Sequence, residues 1–207
     1  TEDVRGRQAR TRWPYAAIRA LHDAAPSSLA RIASYTIGPV NVTGEREAAR
    51  LDAEFVSRDY FAITRVDAAI GRLPIAFSTE VAETPAEVAI SDRLWRRVYG
   101  GESNVLGRTI RISRTPLTIV GVLPAGFAGL SGRADVWVAH TWAPTLTFSG
   151  YFTSDEYFHN VIAALRTGGT IEQARSELAV IGARIAQAVP ARSTNATSRG
   201  ADVRTLA

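Results

Sequence analysis

Between Val88 and Val138 the chain reads VAISDRLWRRVYGGESNVLGRTIRISRTPLTIVGVLPAGFAGLSGRADVWV, and no other segment narrows the choice of fold as much. Val88 to Ile90 is a short apolar strand, and Ser91 follows it with a hydroxyl that can accept from the free amides of a helix start. From Asp92 to Tyr99, Leu94, Trp95, Val98 and Tyr99 line one helical face and Arg93, Arg96 and Arg97 the other. Gly100-Gly101 provides a left-handed stop, and Asn104 to Gly107 a tight turn. Thr109 to Ser113 and Leu117 to Val122 form a hairpin across Arg114-Thr115-Pro116, with Ile110 and Ile112 sharing a face with alternate residues of the returning strand. A proline-glycine loop, Leu123 to Gly132, then leads into a strand over Ala134 to Val138. Strands and helices in this order imply an α+β fold.

The flanking sequence supplies further elements. Residues 1 to 12 are a polar lead-in, and a helix runs from Pro14 through Tyr15, Ile18, Leu21 and His22 to the break at Pro26. Ser27 or Ser28 caps a further turn through Ile32, and Ser34 to Val42 is a strand with Tyr35, Ile37, Val40 and Val42 inward. A turn at Gly44 returns through Ala49, Leu51, Ala53 and Phe55, which alternate with outward Arg50, Asp52 and Glu54. Ser57 to Phe61 reads as a cap and short helix reaching Thr64; Gly71 to Pro74 is a turn and Ser78 to Pro85 a polar loop. Trp142 to Tyr151 is aromatic and irregular, Tyr157 to Leu165 a strand, and Gly168-Gly169 a turn. Thr170 and Gln173 match a capping box for the helix Ile171 to Val189, whose stripe is Ile171, Ala174, Leu178, Ile181, Ile185 and Val189. Pro190 stops it, and Ala201 to Leu206 forms a final strand.

Composition removes whole classes of function. The 207 residues are 46% hydrophobic and 21% charged, a globular balance. Cysteine is absent, which excludes thiol chemistry, disulfides and thiolate zinc. All 24 basic residues are arginine, but acids such as Asp52, Glu54, Asp59, Glu80 and Glu87 are interspersed, so the net +4 forms no stripe for nucleic acid. Methionine is also absent, and the sequence reads as an interior piece of a longer protein. Its longest apolar stretch, Leu117 to Leu130, is interrupted by Gly121, Pro124 and Gly126 and falls short of the roughly 20 residues a membrane helix needs.

No chemistry-bearing motif emerges. His22, His140 and His159 are far apart in sequence, without ligand spacing to one another. Asp155-Glu156 is an adjacent acid pair, but neighbours on a strand point to opposite faces, so it reads as a solvated strand entry. Ser91-Asp92 and Ser154-Asp155 lack the strained G-x-S-x-G turn of a nucleophilic serine, and Gly121 to Gly132 matches no phosphate-binding loop. No catalytic, cofactor-binding or metal-binding residue is assigned. Trp95 is expected in the core, whereas Leu123, Phe127 and Leu130 in one loop and Phe148, Tyr151 and Phe152 in another are either core or a partner-contact patch.

The residues Ser91, Leu94-Trp95, Gly100-Gly101, Val105 to Gly107, Val120 to Val122, Pro124 to Phe127 and Asp135 to Val138 carry a resemblance to the extracytoplasmic core domain of MacB-like permeases, in the FtsX/MacB-type family of ABC transporters. The resemblance spans nearly the whole chain, is strongest in the middle and is weak before residue 30. It implies a membrane-proximal, porter-like βαβ-type lobe in two halves, residues 1–57 and 151–207, around an inserted and mostly β distal lobe, residues 58–150. It implies membrane helices before Thr1 and after Ala207, and a domain in the periplasm or outside the bacterial inner membrane. Its work would be non-catalytic, relaying ATP-driven motion to a substrate or a periplasmic adaptor. The implied partners are a second permease protomer and a cytosolic ATPase subunit or domain; neither a cofactor nor nucleic acid is implied. Contacts are expected at Leu123 to Leu130 and in the 147–152 segment. The alternatives are a secreted hydrolase using Asp155, Glu156 or a serine, and a scaffold that activates cell-wall enzymes.

Overall fold

The computed structural model describes residues 12–43, 49–74, 83–156 and 158–188. Its helices are α1 (Tyr15–Asp23), α2 (Tyr60–Thr64), α3 (Asp92–Tyr99), α4 (Ala143–Leu146) and α5 (Ile171–Ala188). Its strands are β1 (Leu29–Thr43), β2 (Ala49–Val56), β3 (Ile70–Gly71), β4 (Glu87–Ile90), β5 (Thr109–Ile112), β6 (Thr115–Val122), β7 (Val136–Ala139) and β8 (Asn160–Leu165). This is a mixed α and β architecture built on one eight-stranded sheet. The Gly44 turn, the lead-in before Arg12, Val189, the Pro190 stop and the Ala201 to Leu206 strand lie outside the described residues.

Strand β1 organises the sheet. Its 15 residues meet β8 over Leu29 to Tyr35, β2 over Tyr35 to Val42 and β5 at Val42 and Thr43. From β2 the pairing continues to β7 in parallel, to β4, to β6 in parallel and to β5, which returns to β1. Six strands therefore close a ring, and β3 adds to it on β6. The ring joins strands from both sides of the 57/58 position in the sequence, since β2 pairs β7 and β1 pairs β5.

Alternation along these strands fills the ring. Leu51, Ala53 and Phe55 of β2, Val88 and Ile90 of β4, Ile110 and Ile112 of β5, Leu117 and Ile119 of β6, and Val136 and Val138 of β7 form one buried cluster. Leu94 and Tyr99 of α3 join it. The opposite side of β2, β4 and β7 is covered too, because Val56, Ala89 and Trp137 pack in a second cluster with Tyr60 and Phe61 of α2. A third, smaller cluster joins α1 to α5 through Ala17, Leu21, Ile181 and Ile185, with Ile32 of β1 and Val161 of β8 against it.

The capping chemistry follows the residues. Ser91 Oγ accepts from Leu94 N at 3.1 Å, and Gly100 ends α3 at φ 65°. Thr170 and Gln173 exchange bonds of 3.0 and 3.2 Å at the start of α5. Four local expectations are corrected. Leu29 to Ile32 is strand, not a helical turn; the Glu177 carboxylate accepts from Ser27 N and Ser28 N at 2.6 and 2.8 Å, so an α5 side chain satisfies those amides. Ser57 does not cap α2, because its hydroxyl accepts from Ser34 N at 2.8 Å. The hairpin turn is Ser113-Arg114, at φ 47° and 72°, with Thr115 and Pro116 already in β6. Two residues of that hand match the twist of paired strands, and Pro116 is tolerated because β4 meets β6 only from Thr118 onward. The segment after β7 is helical in part, with a 3₁₀ turn over His140–Trp142 and then α4.

Two substitutions separate local from global stabilisation. Ser91→Ala should lower unfolding free energy by about 1 kcal/mol through the lost cap. Ile119→Ala, at a fully buried ring position, should cost about 2–5 kcal/mol. Urea unfolding of the two variants beside the parent chain measures both.

Candidate contact surface

The alternation of β2 places Glu54 outward, toward solvent, but the structure buries it completely at 0% exposure. Its carboxylate lies beneath α2 and the loop between β6 and β7. Oε2 accepts from Tyr60 Oη at 2.5 Å and from Trp137 Nε1 at 3.0 Å, and Oε1 accepts from Ser131 N at 2.7 Å. Tyr60 Oη in turn accepts from Leu130 N at 3.0 Å. Gly129 sits at φ +73°, and a Cβ there would run into the Glu54 carboxylate. A buried carboxylate is tolerable only when donors replace its water, and here those donors come from a helix, a strand and a loop. Burial first, and then the adjacent Glu54 charge, hold the Tyr60 hydroxyl far above the ordinary phenol range, so it remains a donor.

This arrangement sets the first group of expected contact residues. Leu123 is fully buried. Phe127 and Leu130 are half-buried against the second cluster, and Phe127 stacks on Trp137 with centroids 5.5 Å apart and planes at 22°. The second group packs elsewhere, against the ring cluster. Tyr151 is buried, and its hydroxyl shares a 2.6 Å hydrogen bond with that of Thr36 on β1. Phe152 is half-buried with its ring 4.4 Å from Tyr15, while Phe148 is 47% exposed beside Tyr151 and Phe158. The six residues thus form two patches, in which Leu123 and Tyr151 are supports and the other four reach solvent. Trp95 is half-buried rather than enclosed, and its Nε1 donates to Glu102 O at 2.9 Å.

The histidines are not scattered in space. His140 and His159 flank Tyr15 with centroids 6.2 and 5.6 Å away, and His22 of α1 acts electrostatically on His140. Asp155 and Glu156 are exposed, and the Glu156 amide donates to Ser154 Oγ at 3.1 Å. Sequence reasoning missed the Glu54, Tyr60 and Trp137 group. The available signal was an acid set in Ala53-Glu54-Phe55-Val56, a strand end where both neighbours on the sequence are apolar.

Glu54→Gln tests the loop anchor, since an amide NH₂ would face donors where an oxygen is needed. Stability should fall by about 1–3 kcal/mol, and hydrogen exchange at the Leu130 and Ser131 amides should rise more than at the α3 amides. An unchanged exchange pattern would remove Glu54 as the anchor.

A family model for the MacB-like periplasmic core domain matches residues 2–181. The macrolide export ATP-binding/permease protein MacB of Chromobacterium violaceum is 24% identical over 113 residues, which are 55% of this chain and 16% of that protein. MacB of Burkholderia pseudomallei strain K96243 is 28% identical over 105 residues, 50% of this chain and 16% of that one. MacB of Burkholderia thailandensis is 30% identical over 95 residues, 45% and 14% of the two chains. The matched part is thus only 14–16% of each of these relatives. Among solved structures, the periplasmic region of MacB from Actinobacillus actinomycetemcomitans superposes with a TM-score of 0.65 at 11% identity, covering 89% of this chain and 78% of that one. The extracellular domain of the ABC-type transporter YknZ from Gram-positive bacteria gives 0.64 at 13% identity, covering 82% of each. At such identities the superpositions speak to fold alone; the family match over residues 2–181 shows that this chain belongs to the MacB-like periplasmic core domains.

Proposed function

We propose that this domain is the extracytoplasmic part of an ABC-type export permease and relays ATP-driven movement without catalysing a reaction. The observation that carries the reading is the continuity of β1. Its first half is paired with β8 in the α1 and α5 layer, and its second half is a stave of the six-stranded ring. Close-packed interiors have low compressibility and transmit strain. A displacement applied to the helical layer would therefore reach the ring through one unbroken strand, braced where Thr36 meets Tyr151.

The membrane-proximal lobe of this reading combines segments from 1–57 and 151–207 and the distal lobe is 58–150, with β2 and the second half of β1 reaching across that boundary into the ring. The chain passes through α1 into β1 and through β8 into α5, and both passages lie in one layer. That placement suits a layer joined to membrane helices on either side of the domain. The cytosolic ATPase and a second permease protomer would act through the membrane part, and a substrate or periplasmic adaptor would meet Phe127, Leu130, Phe148 and Phe152 from outside. Leu123 and Tyr151 would hold those patches from below.

Phe148→Asp and Leu130→Asp, made in the full-length permease with its ATPase, test the contact surface. Charge at a desolvated contact should reduce export at least about tenfold while basal ATP hydrolysis stays within error of the parent. The thermal midpoint of the isolated domain should hold for exposed Phe148→Asp and fall for Leu130→Asp, whose side chain packs on the second cluster beside Tyr60 and Glu54. Export at the parental rate in both variants would dismiss these patches. Turnover of ester, peptide or glycoside substrates by the isolated domain would instead favour a secreted hydrolase.

A further inference from the structure

His140 and His159 are packed where charged imidazoles are unwelcome. His159 is 1% exposed and begins the approach to β8, while His140 opens the 3₁₀ turn after β7. The His159 ring stacks on Phe158 at 4.3 Å and meets the edge of Tyr151 at 5.0 Å. The His140 ring meets Phe152 at 5.5 Å, and Tyr15 touches both groups from the first turn of α1. Beside Tyr15, Trp13 bonds the His159 backbone in both directions, at 2.8 and 3.2 Å. Among the described residues, three buried polar atoms here have no hydrogen-bond partner: His140 Nδ1, Thr141 Oγ1 and His159 Nε2.

We propose that His140 and His159 form an acid-sensitive latch, holding the Trp13–Tyr15 entry of α1 against the sheet while both rings are neutral and releasing it when they gain protons. His159 is enclosed and His140 is half-buried with its Nδ1 turned inward. An unpartnered ring nitrogen so placed costs little while neutral, but a proton put on it finds no acceptor among the described residues. The charges acting on His140 are His159 and His22, and both oppose its protonation. From α1, Arg19 acts on Tyr15, and Tyr151 contributes a neutral hydroxyl already bonded to Thr36. Burial is the main influence on both imidazoles and brings them down to about 4; a bond to the Tyr151 backbone works in the other direction at His159.

The sign follows from the unfolded value of about 6.5. A histidine whose folded pKa is depressed contributes stability that is complete above the unfolded value and is lost as pH falls through the folded one. Between pH 7 and pH 4 the opening equilibrium of α1 should rise about a hundredfold for each histidine that charges only after opening. The tie from α5 does not follow the same course. Glu177, drawn down to about 2 by its bonds with Ser28 and Ser27, stays ionised across that window and keeps its hold on those amides.

The test uses the 207-residue chain and follows amide hydrogen exchange, corrected for intrinsic rate, together with histidine ring NMR from pH 7 to pH 4. The expected result is loss of protection across α1 by about a hundredfold or more while Ile90, Ile119 and Val138 in the ring keep theirs, with two histidine rings still neutral at pH 5. In His140→Gln/His159→Gln, the α1 amides should lose this acid response. Protection that falls equally in α1 and the ring, or an acid response unchanged in the double variant, would overturn the latch. If the double variant does not fold, the parent rings decide alone: a midpoint near 6.5 for either His140 or His159 defeats the proposal.

Discussion

The pairing of β1 with three different strands is the constraint from which the remaining architecture follows. Because β2, β5 and β8 each take a different stretch of the same backbone, their relative heights and directions are fixed by one register. A one-residue slip would turn every side chain of a strand to the opposite face. Here that would take Val40 and Val42 out of the ring interior and Ile32 from beneath the helices. The two cores are thus tied to a common ruler, and neither can be repacked without consequences for the other.

A second constraint is electrostatic. Glu54 occupies a position where an apolar residue would fill the space, yet it organises four backbone or side-chain groups that would otherwise need partners of their own. Such networks are most costly when incomplete and most specifying when complete. The acid sets the path of the glycine-bearing loop without adding a regular element there. It also accounts for Gly129, where the close approach of a carboxylate and a positive φ leave no room for a side chain.

Much of the helix chemistry was legible in the residues. Ser91, Gly100, Thr170 and Gln173 act through local hydrogen bonds whose geometry depends on a few neighbours, so spacing alone identified them. The inward sides of β2, β5 and β6 were equally plain, since two-residue alternation is a local pattern. What alternation could not show is that β2, β4 and β7 are covered on both faces, which depends on where α2 and the loop after β6 come to rest. Glu54 was misread as solvated for that reason. The same limit applies to the contact residues: Leu123 and Phe148 look alike as apolar loop residues, and only the packing around them separates a support from an exposed ring. Likewise, His140 and His159 are drawn toward Tyr15 by the sheet, not by sequence spacing.

The order in which the strands pair bears on how the chain acquires this structure at all. Thr43 waits for Arg111, Val56 for Ala139, and Leu29 for Leu165. Loop closures of this length slow folding and prolong the exposure of unpaired strands. A polypeptide delivered from its amino end can pair Tyr35 to Val42 with β2 at once but must carry the Leu29 to Ser34 stretch of β1 unpaired until β8 has emerged. Its biogenesis is therefore governed by late, distant encounters, and its vulnerable period for aggregation or proteolysis falls before β8 arrives.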